Sequence, residues 1–194
     1  MTKLNWGIIG LGTIAQKFAK AIAETSNSKL LAVASNNNQK LENFKKQFCI
    51  EARFAYKNYE DLINCKDIDI VYIALPNSFH FFWINECIRN NKNILVEKPA
   101  TVNFEEIEII KKNLLNKDIF FGEAFMYRHH PQIDFVLELI NNNEIGSLIS
   151  MESSFGVNIL TKKKFLFFKK KKIIFFIIYY YVSHCNKIID MLFD

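Results

Sequence analysis

Short apolar runs, rich in β-branched residues and too brief to be helices, recur along residues 4–121 and alternate with stretches of helical spacing. Strands are predicted at residues 4–9, 30–34, 53–55, 68–75, 94–96 and 119–121. Between them Ile14, Phe18 and Ile22 recur every fourth residue, Leu41, Phe44 and Phe48 mark a second helix, and residues 104–115 a further one. The 68–75 run is broken mainly by Asp69, the pattern of a strand covered on both faces. A parallel strand pair needs a crossover about as long as a helix, and such crossovers turn right-handed. The alternation therefore predicts an α/β protein built on a parallel, doubly wound sheet.

Local signals sharpen the outline. Asn58 with Asp61 opens a short helix, Ser78 is placed to cap a helix reaching about residue 90, and Asn103 with Glu106 forms a capping box. Pro131 suits the first position of a helix with Ile133, Leu137 and Ile140 on one face. Gly146 then turns the chain into an expected strand over 147–155, with Ile149, Met151 and Phe155 on one side. The tail from residue 161 is built from Lys, Phe, Ile and Tyr in blocks without useful periodicity. It reads as low complexity; a reading-frame slip in a homopolymeric run is the favoured cause, and a divergent but genuine sheet strand is the alternative.

Half of the residues are hydrophobic, enough for a packed core. The net charge of +5 misleads: residues 161–194 hold eight Lys and two Asp, hence +6, which leaves −1 for residues 1–160. A dispersed cationic face of the kind nucleic acid requires is absent. Cys49, Cys65, Cys87 and Cys185 lack CxxC spacing, which argues against zinc and a disulfide framework and for a reducing cytoplasm. The first residues enter a strand pattern with no apolar export segment, and the ten apolar residues 173–182 are about half of the ~20 a bilayer span needs. Cytoplasmic localisation without a membrane segment is expected.

Gly10-Leu11-Gly12-Thr13-Ile14-Ala15 lies between the first strand and the first helix, where GxGxxG/A binds a dinucleotide. Gly10 permits the tight turn, Gly12 lets the backbone approach a pyrophosphate, and Ala15 packs helix on strand. The N–H groups around Thr13 and Ile14, with the helix dipole, then face the anion. The second strand ends in Ala34-Ser35-Asn36-Asn37, without the carboxylate that would bind a ribose 2′-hydroxyl. That mildly favours a 2′-phosphate on Ser35, Asn36 and Lys40; the alternative is a polar turn indifferent to either ribose. NADP or NAD is the expected cofactor.

Two further segments sit at strand ends, Leu75-Pro76-Asn77-Ser78-Phe79-His80 and Glu97-Lys98-Pro99. With the glycine turn, and with Glu123-Ala124-Phe125-Met126-Tyr127-Arg128-His129-His130-Pro131, they resemble the Gfo/Idh/MocA family of nicotinamide-dependent oxidoreductases over about residues 4–156. The last stretch is most similar to the branch of dihydrodiol and xylose dehydrogenases and nucleotide-sugar ketoreductases. The resemblance implies a Rossmann-type NAD(P)-binding domain over 1–122 and the beginning of an α+β substrate and dimerisation domain, its open sheet incomplete, over 123–160. Residues 161–194 would be the low-complexity or frame-shifted tail.

It also implies hydride transfer between NAD(P) and a hydroxyl or carbonyl carbon of a sugar, polyol or related diol, with Lys98 on the reacting oxygen. Glu97 would hold the lysine or the nicotinamide, while Leu75, Pro76, Asn77 and His80 would line the ribose and nicotinamide. For His80 a ring satisfied by backbone is the competing reading, and Arg128 would meet substrate or form an exposed ion pair. The family's downstream Asp-x-Gly-x-Tyr or Asp-x-Gly-x-His segment has no counterpart, and His184 is read as coincidence. A homodimer is implied for a full-length relative rather than for this chain, and a dinucleotide-binding module without turnover is the alternative function.

Overall fold

A computed structural model describes residues 3–150. One compact unit runs through Met126 and a second begins at Tyr127. The first is a parallel sheet of β1 (Leu4–Ile9), β2 (Ser28–Ala34), β3 (Ala55–Tyr56), β4 (Ile70–Ile73), β5 (Asn93–Val96) and β6 (Phe121–Glu123). Their spatial order is β3-β2-β1-β4-β5-β6, and every pair is parallel. The order reverses direction between β1 and β4, the switch point at which open α/β sheets bind ligands. Between the strands run α1 (Thr13–Ala23), α2 (Asn38–Gln47), α3 (Tyr59–Asn64), α4 (His80–Arg89) and α5 (Phe104–Leu114).

Burial explains why these runs are strands. Every residue of β4 is buried, as are Ile8, Ile9, Val33, Ala34, Ile94 and Val96, so helices cover the sheet centre on both faces. Each fully buried isoleucine contributes about 1.5–3 kcal/mol relative to exposure. The buried face of α1 is Ala15, Ala19 and Ile22 rather than the expected Ile14, Phe18 and Ile22. Small alanines let that helix lie close to the sheet, and Phe18 turns sideways, edge-on to Trp6 and 4.1 Å between centroids from Tyr72.

Two local expectations change. Residues 53–55 fall mostly in a 3-10 turn (Ala52–Phe54), leaving β3 at Ala55–Tyr56. Ser78 caps nothing, because a 3-10 turn (Asn77–Phe79) runs directly into α4. At the far edge β6 pairs with β5 through Val96 and Glu123.

The second unit contains α6 (Pro131–Asn141), with proline at its first turn and the His130 ring accepting from the Gln132 amide. Of the expected strand over 147–155, residues 147–150 carry no strand and the remainder lies outside the described residues, as does the tail with His184. No helix among the described residues is long and apolar enough to cross a membrane.

Candidate active site

Strand register brings the motifs to one level. Ile9 of β1 pairs with Ile73 of β4, which pairs with Val96 of β5. The next backbone bonds continue this line: Ala74 N donates to Ile9 O and Glu97 N to Ile73 O. The Gly10 turn, the Leu75 segment and Glu97-Lys98-Pro99 therefore leave the sheet side by side, at its carboxyl edge. Gly10 N also donates to Ala34 O, so the end of β2 stands beside them.

Gly10 has φ +87°, and a Cβ there would lie 2.7 Å from both Ala74 O and Leu75 Cδ2. Left-handed backbone and close contact each demand glycine. Gly12 differs, since its φ of −87° is ordinary and a Cβ would meet nothing within 4 Å. It is the N-cap residue of α1 and offers no side-chain acceptor, so no side chain caps the first N–H groups of the helix, at exposed Thr13 and half-buried Ile14. An uncapped helix start with room beside its glycine fits a pyrophosphate.

At the end of β2 Ser35 is buried, and its hydroxyl oxygen accepts from Asn37 N at 3.1 Å. Asn37 in turn caps α2 by accepting from Lys40 N, while Asn36 and the Lys40 side chain are exposed. Ser35 thus shapes the turn and still has its proton to donate.

The loop after β5 is held from three directions. Tyr72, 1% exposed on β4, donates its hydroxyl to Glu97 Oε1 at 2.5 Å. The His80 ring places Nδ1 2.8 Å from Pro99 O and Nε2 2.8 Å from Leu75 O. Ala100 N donates to Glu123 Oε1 on β6 at 3.0 Å. The Lys98–Pro99 peptide is cis. Half-buried Lys98 sits within this frame; burial lowers its ammonium below the usual lysine range, and the Glu97 charge partly offsets that. Burial, and then Glu97, push the Tyr72 phenol upward.

Lys92, before β5, provides a contrast. Burial lowers it too, but its ammonium donates to Cys65 O and Ile68 O at 2.6 and 2.8 Å and so fastens the opposite edge of the sheet.

Among the expected residues, Gly10, Leu75, His80, Glu97 and Lys98 are brought together. His80 is 1% exposed with a ring nitrogen 2.8 Å from each of Pro99 O and Leu75 O, the arrangement of the competing reading in which backbone satisfies the ring. Pro76 and Asn77 are exposed at the start of the 3-10 turn. Arg128 is exposed in a 3-10 turn (Met126–His129) and belongs to the second unit. Sequence reasoning missed Tyr72 and the bond from Glu123. A tyrosine within an apolar, doubly covered strand was the available signal, because a buried phenol needs an acceptor.

Comparison with known proteins agrees with this geometry. Residues 4–122 match GFO_IDH_MocA, the oxidoreductase family with an NAD-binding Rossmann fold. Over 152 residues the chain is 30% identical to dTDP-3,4-didehydro-2,6-dideoxy-alpha-D-glucose 3-reductase of Saccharopolyspora spinosa, a match covering 78% of this chain and 45% of that protein. Over 157 residues it is 30% identical to trans-1,2-dihydrobenzene-1,2-diol dehydrogenase of Xenopus tropicalis, covering 80% and 47%. Scyllo-inositol dehydrogenase from Lactobacillus casei superposes with a TM-score of 0.71 at 27% identity, over 75% of this chain and 43% of that one. A 3-ketoreductase from Actinomadura kijaniata, solved with NADP and TDP-benzene, gives 0.67 at 27% identity, over 73% and 43%. The chain spans about half the length of the curated relatives it matches. It belongs to the Gfo/Idh/MocA oxidoreductase family, and its first unit is an NAD-binding Rossmann domain of that family.

Proposed function

We propose that the chain binds a nicotinamide dinucleotide across the carboxyl ends of β1, β4 and β5, and serves an oxidoreductase acting on a sugar, polyol or related diol. The observation that carries this reading is the common level of Ile9, Ile73 and Val96, which aligns the Gly10 turn with Lys98. The bound nicotinamide would supply hydride donation and acceptance. The protein's part begins with the free N–H groups of α1, which hold the pyrophosphate, and with Gly12, whose missing side chain admits it. Lys98 then orients the reacting carbon by hydrogen-bonding its oxygen. An ammonium at that oxygen stabilises developing alkoxide charge, and partial burial strengthens the effect by reducing screening. Glu97 keeps the lysine charged against desolvation. Asn77 lies on the same loop edge and is proposed as a ribose or nicotinamide contact, and Arg128 as a substrate contact.

NADP is favoured over NAD because residues 34–40 contain no carboxylate, Lys40 stands in the first turn of α2, and the Ser35 hydroxyl has a proton to donate. The three cysteines among the described residues are free thiols, which supports a reducing, cytoplasmic setting. A module that binds the dinucleotide without turnover is the second reading.

Fluorescence titration with NADPH and NADH tests the binding, and NADPH is expected to bind more tightly. Stopped-flow assays against a panel of sugars, polyols and diols test the chemistry. Lys98→Ala is expected to retain cofactor affinity and to lose hydride transfer by about 100-fold or more. Full activity in that variant would remove Lys98 from the mechanism. Binding with no turnover on any substrate would favour the second reading.

A further inference from the structure

The Glu97 carboxylate is bonded by a buried phenol that the reaction proposed above does not use. Tyr72 is 1% exposed in the middle of the sheet, and its ring is fixed by Phe18 of α1 at a centroid distance of 4.1 Å. Its hydroxyl reaches Glu97 Oε1 at 2.5 Å, within the range of a bond to a charged acceptor. Backbone alone does not determine where that carboxylate points. Glu97 is the first residue beyond β5, half-buried at the border of the loop, so without a partner its side chain could turn into water.

We propose that Tyr72 is a positioning residue: its hydroxyl pins the Glu97 carboxylate at the end of β5, so that the carboxylate's charge stays on the adjacent Lys98 ammonium. A carboxylate released into solvent would be farther away and better screened, and its Coulomb interaction would fall on both counts. Tyr72 thereby sets how charged Lys98 remains in a site that otherwise disfavours charge. Among the described residues the neighbouring side chains are engaged elsewhere or are apolar. Glu123 of β6 is engaged with Ala100 N, His80 of α4 faces Leu75 O and Pro99 O, and Phe18 of α1 presents only a ring.

The functional meaning rests on Lys98 facing the reacting oxygen, but the effect on its ammonium can be read without cofactor. The 194-residue chain is reductively methylated with 13C, the Lys98 resonance is identified by its loss in Lys98→Arg, and its pH titration is followed by NMR. Glu97→Gln is expected to lower the Lys98 midpoint by roughly one pH unit, and Tyr72→Phe to lower it by roughly half a unit. An unchanged or raised midpoint in Tyr72→Phe, or no decrease in Glu97→Gln, overturns the proposal.

Phenylalanine retains the ring packing against Phe18, and an amide spectrum reports whether the fold is kept. Should Tyr72→Phe disturb it, the unaltered chain decides. A Tyr72 hydroxyl proton in slow exchange, lost in Glu97→Ala, supports the bond, and its absence from the wild-type spectrum contradicts it. NADPH titration of the same samples is scored separately. A failure to bind would overturn the functional reading while the ammonium midpoints still judge Tyr72.

Discussion

Four helices begin beneath a side chain that accepts from their first amides: Asn37 for α2, Asn58 for α3, Asn103 for α5 and His130 for α6. The helix after β1 begins under Gly12, with no such acceptor and open space where a side chain would be, and α4 after β4 emerges from a 3-10 turn without a side-chain cap. Among the described residues, the two helices left uncapped follow the two strands that flank the switch point. Elsewhere in the first unit the chain satisfies its helix ends internally, because an unpartnered amide lowers stability. The first amide of α4, His80 N, is satisfied by Asn77 O within the 3-10 turn, so in the function proposed above it is α1 whose amides are kept for an external anion, and the free energy forgone locally is recovered when the anion binds.

Substitutions can break this division. Gly10→Ala should have the largest effect on stability, about 3 kcal/mol, because it combines left-handed strain with a Cβ against Ala74 O and Leu75 Cδ2. Urea unfolding measures it, and NADPH affinity should fall with it as the turn is displaced. A loss below about 1 kcal/mol would mean that the turn relaxes and that its geometry is not critical. Asn103→Ala, at a capped helix, should cost about 1 kcal/mol in the same measurement and leave NADPH affinity unchanged. If Asn103→Ala weakened the cofactor as Gly10→Ala does, capped and uncapped helix ends would not be functionally distinct.

Much of this was legible in the amino-acid sequence because the determining interactions are local. Gly10 and Gly12 declare themselves by type and spacing, and Asn58 and Asn103 cap the helices expected from them. The alternation of strands and helices sufficed for the sheet because crossover handedness leaves few topologies. The less legible features depend on partners distant in the chain. Tyr72 meets Glu97 across 25 residues, His80 meets Pro99 across 19, and Glu123 meets Ala100 across 23. A sequence pattern shows that His80 is near the site but not that its ring lies between the Pro99 and Leu75 carbonyls. Ser78 was misread for a related reason: a cap residue stands out by type, but the 3-10 turn that replaces it depends on how β4 leads into α4.

The central claim is that α1 lacks a cap in order to hold an anion, and Gly12→Asp tests it most directly. The backbone at Gly12 is extended and its surroundings are empty, so aspartate fits and can accept from the helix amides as the asparagines do elsewhere. The account predicts that thermal unfolding shows stability unchanged or raised by a few tenths of a kcal/mol, while NADPH titration on the same protein shows binding lost. Wild-type NADPH affinity in a folded Gly12→Asp chain would contradict it.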